Sequence, residues 1–239
     1  HEGYNSCFNH ERLFIRKAAC HFSWDWAPNL LATGIFDDVT LENSEEQQFG
    51  SIHFRTENNG DAAVFFEFAD IPMIYEADTK VRLTIFRDGF RQEHMITGLK
   101  HIKQYLFHID NPQLWWPAGY GAQPLYQYKA ELLKGDRVLD VKEGHFAIRT
   151  VCYEETHRTD GRGLRFLMKV NGVPVPLKGA NWVPADIFIG SLTKEHYTRL
   201  LETFVEGNLN TLRVWGGGYY PDDFFFDTCD ELGLIVWED

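Results

Sequence analysis

Two tryptophans bracket one aspartate at Trp24-Asp25-Trp26, directly before Ala27-Pro28. An indole face stacks on a pyranose ring, and a carboxylate accepts hydrogen bonds from vicinal hydroxyls, so this spacing can build a sugar site. Core aromatics beside a turn carboxylate have the same spelling, and the residues alone leave both readings open. Further along, Asn181-Trp182, Arg213-Val214-Trp215-Gly216-Gly217-Gly218 and Trp237-Glu238-Asp239 each close a short apolar run. If those runs are strands whose C-terminal ends meet on one rim, an amide, a guanidinium, indoles and carboxylates line one mouth. That mixture suits a neutral, polyhydroxylated ligand; the competing reading is a structural ion-pair layer. No phosphate loop is present: Gly119-Tyr120-Gly121 lacks a third glycine, and no Lys-Ser/Thr follows the glycine triplet. His94, His101 and His108 are evenly spaced, but alternation along strands would not bring them together as metal ligands.

The elements that must hold these groups change character along the chain. The first forty residues are short alternating runs broken by Ala27-Pro28 and Thr33-Gly34, and read as strands of a β-sandwich; Glu42 to Gln48 reads as a linker. Strand candidates then recur at Ser51–Thr56, Ala63–Ala69, Lys80–Arg87, Lys103–Ile109, Leu125–Leu133 and Val138–Arg149. Turns are expected at Asn58-Asn59-Gly60, Asp88-Gly89 and Lys134-Gly135-Asp136, and the spacing is that of an immunoglobulin-like sandwich. Beyond residue 150, Val173–Gly179, Asn210–Trp215 and Leu234–Trp237 read as buried strands. Between them Thr193 caps a helix with the apolar stripe Tyr197, Leu200, Leu201, Phe204 and Val205, ended by Gly207. Pro221-Asp222-Asp223 suits the first turn of a second helix, ended by Gly233. Strand, helix, strand, helix, strand demands parallel strands, as the start of a (β/α)8 barrel or half of an open sheet.

Composition narrows the function classes. A net charge of −12 over 239 residues repels phosphate, which argues against a nucleic-acid or anionic-membrane partner. The longest uncharged run, Asn111 to Tyr128, carries Pro112, Pro117 and Pro124 and cannot be a membrane helix. Cys7, Cys20, Cys152 and Cys229 have neither metal-ligand nor redox spacing, so they read as free buried thiols in a reducing, cytoplasmic compartment. No Asn-x-Ser/Thr site occurs. The chain starts at His1 without Met and stops at Leu-Ile-Val-Trp-Glu-Asp, inside an apparent strand, so it reads as a piece of a larger protein.

Four segments, RKAACHFSWDWAPNLLATGIF, NPQLWWPAGYGAQPLY, KGANWVPAD and NLNTLRVWGGGYYPDDFFFDTCDELGLIVWED, resemble in this order motifs of the β-mannosidases of glycoside hydrolase family 2. The likeness spans nearly the whole chain; only Glu45–His108 is generic. It implies a multidomain β plus α/β architecture. Residues 1–43 would be the end of a jelly-roll sugar-binding domain and 44–150 an immunoglobulin-like sandwich. Residues 151–239 would be the first βαβαβ of a TIM barrel. β-Galactosidase-like members carry an Arg-x-Ser-His-Tyr-type segment where this chain has Arg213-Val214-Trp215-Gly216-Gly217-Gly218, a departure that favours mannosides over galactosides or glucuronides. The resemblance implies that Asp25 bonds the terminal mannose with Trp24 beside it, and that Trp215 walls the same subsite with Arg213 beneath; the strand-end reading adds Asn181 to the substrate-binding set. It further implies a cofactor-free, metal-free retaining hydrolysis of terminal β-D-mannose by two glutamates, both expected beyond Asp239, with no role for Glu238. The expected partner is a mannoside or mannose-containing oligosaccharide; the likeness implies nothing about oligomeric state. The rivals are another family-2 exo-glycosidase, such as an exo-β-glucosaminidase or a β-galactosidase-like enzyme, and a non-catalytic carbohydrate-binding module.

Overall fold

The structure, a computed structural model, describes residues 11–24, 26–31, 33–35, 38–41, 47–58, 60–69, 78–99, 102 and 104–239. It is mostly β, with two α-helices among the described residues. The chain divides into two compact units: Leu41–Pro176, and the residues up to Thr40 together with Leu177–Asp239.

The larger unit contains two antiparallel sheets that share one core. Strands β1 (Ser51–Asn58), β2 (Ala62–Ala69) and β5 (Gln104–Ile109) pair in the order β1-β2-β5. Strands β3 (Thr79–Arg87), β4 (Phe90–Ile96), β6 (Tyr126–Lys134) and β7 (Arg137–Phe146) pair in the order β4-β3-β6-β7. Alternation puts Val64, Phe66, Phe107 and Ile109 of one sheet against Val81, Leu83, Ile85, Ala130 and Leu132 of the other in a single apolar cluster. The polar strand β4 was not expected from its residues. It forms because Asp88 and Gly89, at φ 25° and 81°, make a tight hairpin that folds Phe90–Ile96 back on β3. A third antiparallel sheet follows, β8 (Val151–His157), β9 (Leu164–Val170) and β10 (Val173–Pro174), in the order β10-β9-β8. Asn171, in the β9–β10 turn, donates from Nδ2 to the Trp115 carbonyl at 2.9 Å and accepts the Thr150 N–H on Oδ1 at 2.9 Å.

In the smaller unit, β11 (Gly179–Trp182), β12 (Thr211–Val214) and β13 (Ile235–Glu238) form a parallel sheet in that order. Helix α1 (Lys194–Glu206) joins the first pair of strands and α2 (Asp223–Leu232) the second. Thr193 caps α1 by accepting the His196 N–H; Asp222 caps α2 by accepting the Phe225 N–H, which leaves Pro221 outside the helix rather than in its first turn. Leu201, Phe225 and Cys229 of the helices bury Trp182, Leu212 and Val214 of the sheet, whereas Leu200 of the expected stripe is exposed.

Three further expectations are corrected. The strand foreseen over Val173–Gly179 is two strands: β10 turns back on β9, and only from Gly179 does the chain pair with β12. The described part of residues 11–41 has no strand ladder, only 3-10 turns at Glu11–Leu13 and Ala19–His21 and one isolated bridge, Phe22 with Asn29. A ladder needs a neighbouring strand to supply its hydrogen bonds, and here the Cys20 N–H goes instead to the Gly217 carbonyl. Cys20 and Cys229 are buried free thiols, and burial pushes Cys229 up to about 12; Cys152 lies exposed on β8, whose side chains are mostly exposed. Cys7 lies outside the described residues. Among the described residues no helix is long and apolar enough to cross a membrane.

The cross-strand pair Arg82 and Glu131 generates a pH prediction. The Arg82 Nε donates to Glu131 Oε2 at 2.6 Å, and Lys129 stands 3.3 Å from Oε1. The guanidinium hydrogen bond, with help from Lys129, holds the Glu131 carboxyl below the usual carboxylate range. A carboxyl lowered by folding contributes stability above its unfolded value, lost as pH falls through the folded one. Urea unfolding from pH about 7 to about 3 should therefore show Glu131→Gln less stable than wild type at neutral pH, with the difference closing on acidification. A difference that stays constant with pH would contradict this assignment.

Candidate functional site

Parallel register builds the site. Asn181 is paired with Arg213, and Arg213 with Trp237, so these three share one face of the sheet. Leu212, Val214 and Val236 belong to the opposite face, packed on the helices. Arg213 is thus a strand residue on the polar face. Its Nη1 donates to Asn181 Oδ1 at 3.0 Å, and its Nη2 donates to Asp239 Oδ2 in an ion pair. Asp239 Oδ1 also accepts the Gly216 N–H at 2.9 Å, and the Tyr220 hydroxyl donates to the Asp239 carbonyl at 2.8 Å. The guanidinium is held from both sides, at strand ends that remain open to solvent.

The glycine triplet after β12 has a steric reason. A Cβ on Gly216 would lie 2.5 Å from the Asp239 carbonyl oxygen, one on Gly217 2.0 Å from the Trp215 indole, and one on Gly218 2.6 Å from Pro184. The Gly218 N–H donates to the Trp215 carbonyl at 3.1 Å, closing a turn. The Trp215 N–H donates to the Trp182 carbonyl at 3.1 Å, which continues the β11–β12 pairing one residue further. This packing holds the Trp215 ring close over its own loop.

The segment from the start of the chain lies on this loop, within the same compact unit. Trp24 meets Trp215 with ring centroids 4.7 Å apart at 53°, and Trp26 meets it edge-on at 6.2 Å. The Cys20 N–H donates to the Gly217 carbonyl at 3.2 Å. His21, 2% exposed, bonds Tyr219 through Nε2 and the Leu30 carbonyl through Nδ1 at 2.9 Å. Trp24 and Trp215 stay half-buried and Trp26 exposed. Three partly accessible indoles beside a guanidinium and an amide offer apolar faces for a sugar ring and donors for its oxygens. Two cavities open nearby. One of about 230 Å³ lies against Lys17, His21 and Phe188, and one of about 440 Å³ against Trp182, Tyr197, Tyr220 and Asp222. Tyr219 borders both.

Of the residues singled out in the sequence, Trp24 and Trp215 are in contact, and Arg213 and Asn181 are hydrogen-bonded to each other. Asp25 lies outside the described residues. Glu238 is exposed and register-paired with Val214. His94 packs on Tyr105 and Phe107, and burial lowers its pKa. His101 lies outside the described residues. Among the described residues no group of His, Cys, Asp and Glu could hold a metal ion. Sequence reasoning missed His21, Tyr219 and Tyr220. All three sit inside the quoted motif segments, but nothing in their spacing shows that a histidine near the start reaches a tyrosine near the end.

Residues 36–149 match the family "Glycosyl hydrolases family 2", and residues 1–37 match "Glycosyl hydrolase 2 galactose-binding domain-like". The chain belongs to glycosyl hydrolase family 2. One relative, β-mannosidase B of Neosartorya fischeri, is 36% identical over 239 residues, covering 95% of this chain. A second, β-mannosidase B of Aspergillus oryzae, is 34% identical over 232 residues. The crystal structure of a β-D-mannosidase from Dictyoglomus thermophilum superposes with a TM-score of 0.80 at 32% identity, covering 95% of this chain and 28% of that one. An exo-chitosanase from Amycolatopsis orientalis, at 24% identity and a TM-score of 0.56, shares the fold. The chain spans 27% of the length of both curated relatives.

The triplet generates a contrast between two substitutions. Gly217→Ala meets the far edge of an indole that can swing aside, so the protein should stay folded while Trp215 moves and its fluorescence changes. Gly216→Ala meets the Asp239 main chain, which cannot yield as cheaply, and should lower Tm more. Equal Tm values with unchanged tryptophan emission in both variants would contradict the packing described.

Proposed function

We propose that this chain is the part of a retaining exo-β-mannosidase that carries its terminal-mannose subsite. The observation that carries the reading is the meeting of Trp24 and Trp26 with Trp215, next to the Arg213–Asn181 pair. The likeness to proteins named β-mannosidase supports the sugar. In this reading residues 1–43 end a jelly-roll sugar-binding domain, 44–150 are an immunoglobulin-like sandwich, and 151–239 open a TIM-barrel catalytic domain. The two antiparallel sheets around one core support the sandwich assignment. The parallel β11-α1-β12-α2-β13 array supports the barrel, whose strands then begin at Gly179. In a barrel the face opposite the helices is the interior, so Asn181, Arg213 and Trp237 point at the lumen, and the glycine loop lies on the C-terminal rim.

The substrate is a mannoside or a mannose-containing oligosaccharide. Trp24 and Trp215 wall the pyranose, Asp25 accepts from its hydroxyls, and Arg213 with Asn181 donates at the floor. Retaining hydrolysis needs two carboxyls about 5–5.5 Å apart: one protonates the leaving oxygen, the other forms the glycosyl-enzyme that water resolves. The resemblance assigns neither glutamate to a position within these 239 residues, and Glu238 has no part in the step. The groups here bind and orient the sugar, and the reaction requires neither metal nor cofactor.

The test is the full-length parent on a panel of aryl β-glycosides. β-Mannoside should be the preferred substrate, and Asp25→Ala should cost at least ~3 kcal/mol in kcat/KM, as for a charge-assisted bond strengthened in the transition state. Preference for a glucosaminide or galactoside would move the protein to another family-2 specificity. No turnover with retained sugar binding would make it a binding module. An Asp25→Ala variant within tenfold of wild type would remove Asp25 from the subsite.

A further inference from the structure

We infer that His21 and Tyr219 are positioning residues that fasten the Trp24–Trp26 turn over Trp215; the functional consequence rests on the sugar-subsite reading above. The turn is a loop closed at its base by the Phe22–Asn29 bridge, and just outside that bridge His21 Nδ1 bonds the Leu30 carbonyl at 2.9 Å. A carbonyl only accepts, so Nδ1 carries the proton, and in the neutral ring Nε2 accepts the hydroxyl proton of Tyr219. One imidazole thereby clamps the loop base with one nitrogen and ties it to the glycine-rich loop with the other. Burial raises the Tyr219 pKa, which keeps its hydroxyl a donor.

The spacing makes this bond decisive for the indoles. His21 is three residues before Trp24 and Tyr219 four after Trp215, so a bond between the first and last fixes the pair between them. The apolar anchors Cys20, Phe22 and Ala27 are buried. Burial is non-directional, however, and fixes that the segment docks rather than how its turn is rotated. Beyond Ala27 and the half-buried Trp24, the turn has little burial to orient it: Trp26 is 42% exposed, and Pro28 to Leu31 are exposed. Directional hydrogen bonds at His21 and between Cys20 and Gly217 supply the rotation.

Tyr219→Phe removes the hydroxyl and keeps the ring. In the full-length protein two readouts apply. The first is the exciton couplet of the Trp24–Trp215 pair, defined as the circular-dichroism difference between wild type and Trp24→Phe. The second is KM and kcat on an aryl β-mannoside. Tyr219→Phe should lose the couplet and about tenfold in kcat/KM, largely through KM, while Tm falls by a few degrees at most. His21→Gln retains an acceptor near the Nε2 position and should keep most of the couplet; His21→Asn retains only a donor near Nδ1 and should lose it. A Tyr219→Phe couplet and KM matching wild type would overturn the inference. So would Gln and Asn variants losing the couplet equally and in step with Tm, the mark of a merely structural role. A wild-type parent inactive on β-mannosides would refute the hydrolase reading and leave the couplet to decide the positioning role.

Discussion

His21 and Tyr219 stand 198 positions apart, and the bond between them joins two stretches of chain that share one compact unit. Closing so long a span costs chain entropy, but the cost grows only slowly with length. Burial of Cys20, Phe22 and Ala27 offsets it. Everything chemically distinctive depends on this docking. Without it Trp24 and Trp26 would be aromatics on a loop without a strand ladder, and Trp215 a solitary indole at a strand end. With it, two indoles meet Trp215 at the end of the strand that carries a guanidinium held on two sides.

The second constraint is register. A one-residue slip between β11 and β12 would swap the faces, sending Asn181 toward the helices and breaking the Arg213 hydrogen bond. Trp182, Leu212 and Val214 hold the register by filling the cluster under α1 and α2. Apolar packing on one face of the sheet thus places the polar groups of the other. The three glycines complete the arrangement, since each sits where a side chain would collide with Asp239, Trp215 or Pro184.

Much of this was legible in the residues. The helices could be read because their start and stop signals are local: Thr193 with Gly207, and the Pro221-Asp222-Asp223 run with Gly233. Strand β3 alternates in sequence, with Val81, Leu83 and Ile85 inward, although Thr84 between them is buried as well. Strand β4 was not legible, because Arg91, Gln92, Glu93 and His94 carry no apolar pattern and the strand exists through its hairpin with β3. The described part of the first forty residues misled for the converse reason: alternating runs suggest strands, but their hydrogen bonds go to turns and to Gly217. The Trp24–Trp215 contact was foreseeable only through the resemblance. The His21–Tyr219 bond was foreseeable from nothing local, because neither residue lies in a pattern that reports its partner.

The central claim is that Trp24 and Trp215, from the two ends of the chain, wall one sugar subsite. A crystal structure of the full-length parent with a non-hydrolysable β-thiomannoside tests it most directly. The account predicts the pyranose against both indoles, with Asp25 in hydrogen-bond reach of its hydroxyls and the aglycone directed away from Arg213. A mannose ring bound elsewhere, with the Trp24–Trp215 pair in place and empty, would contradict it.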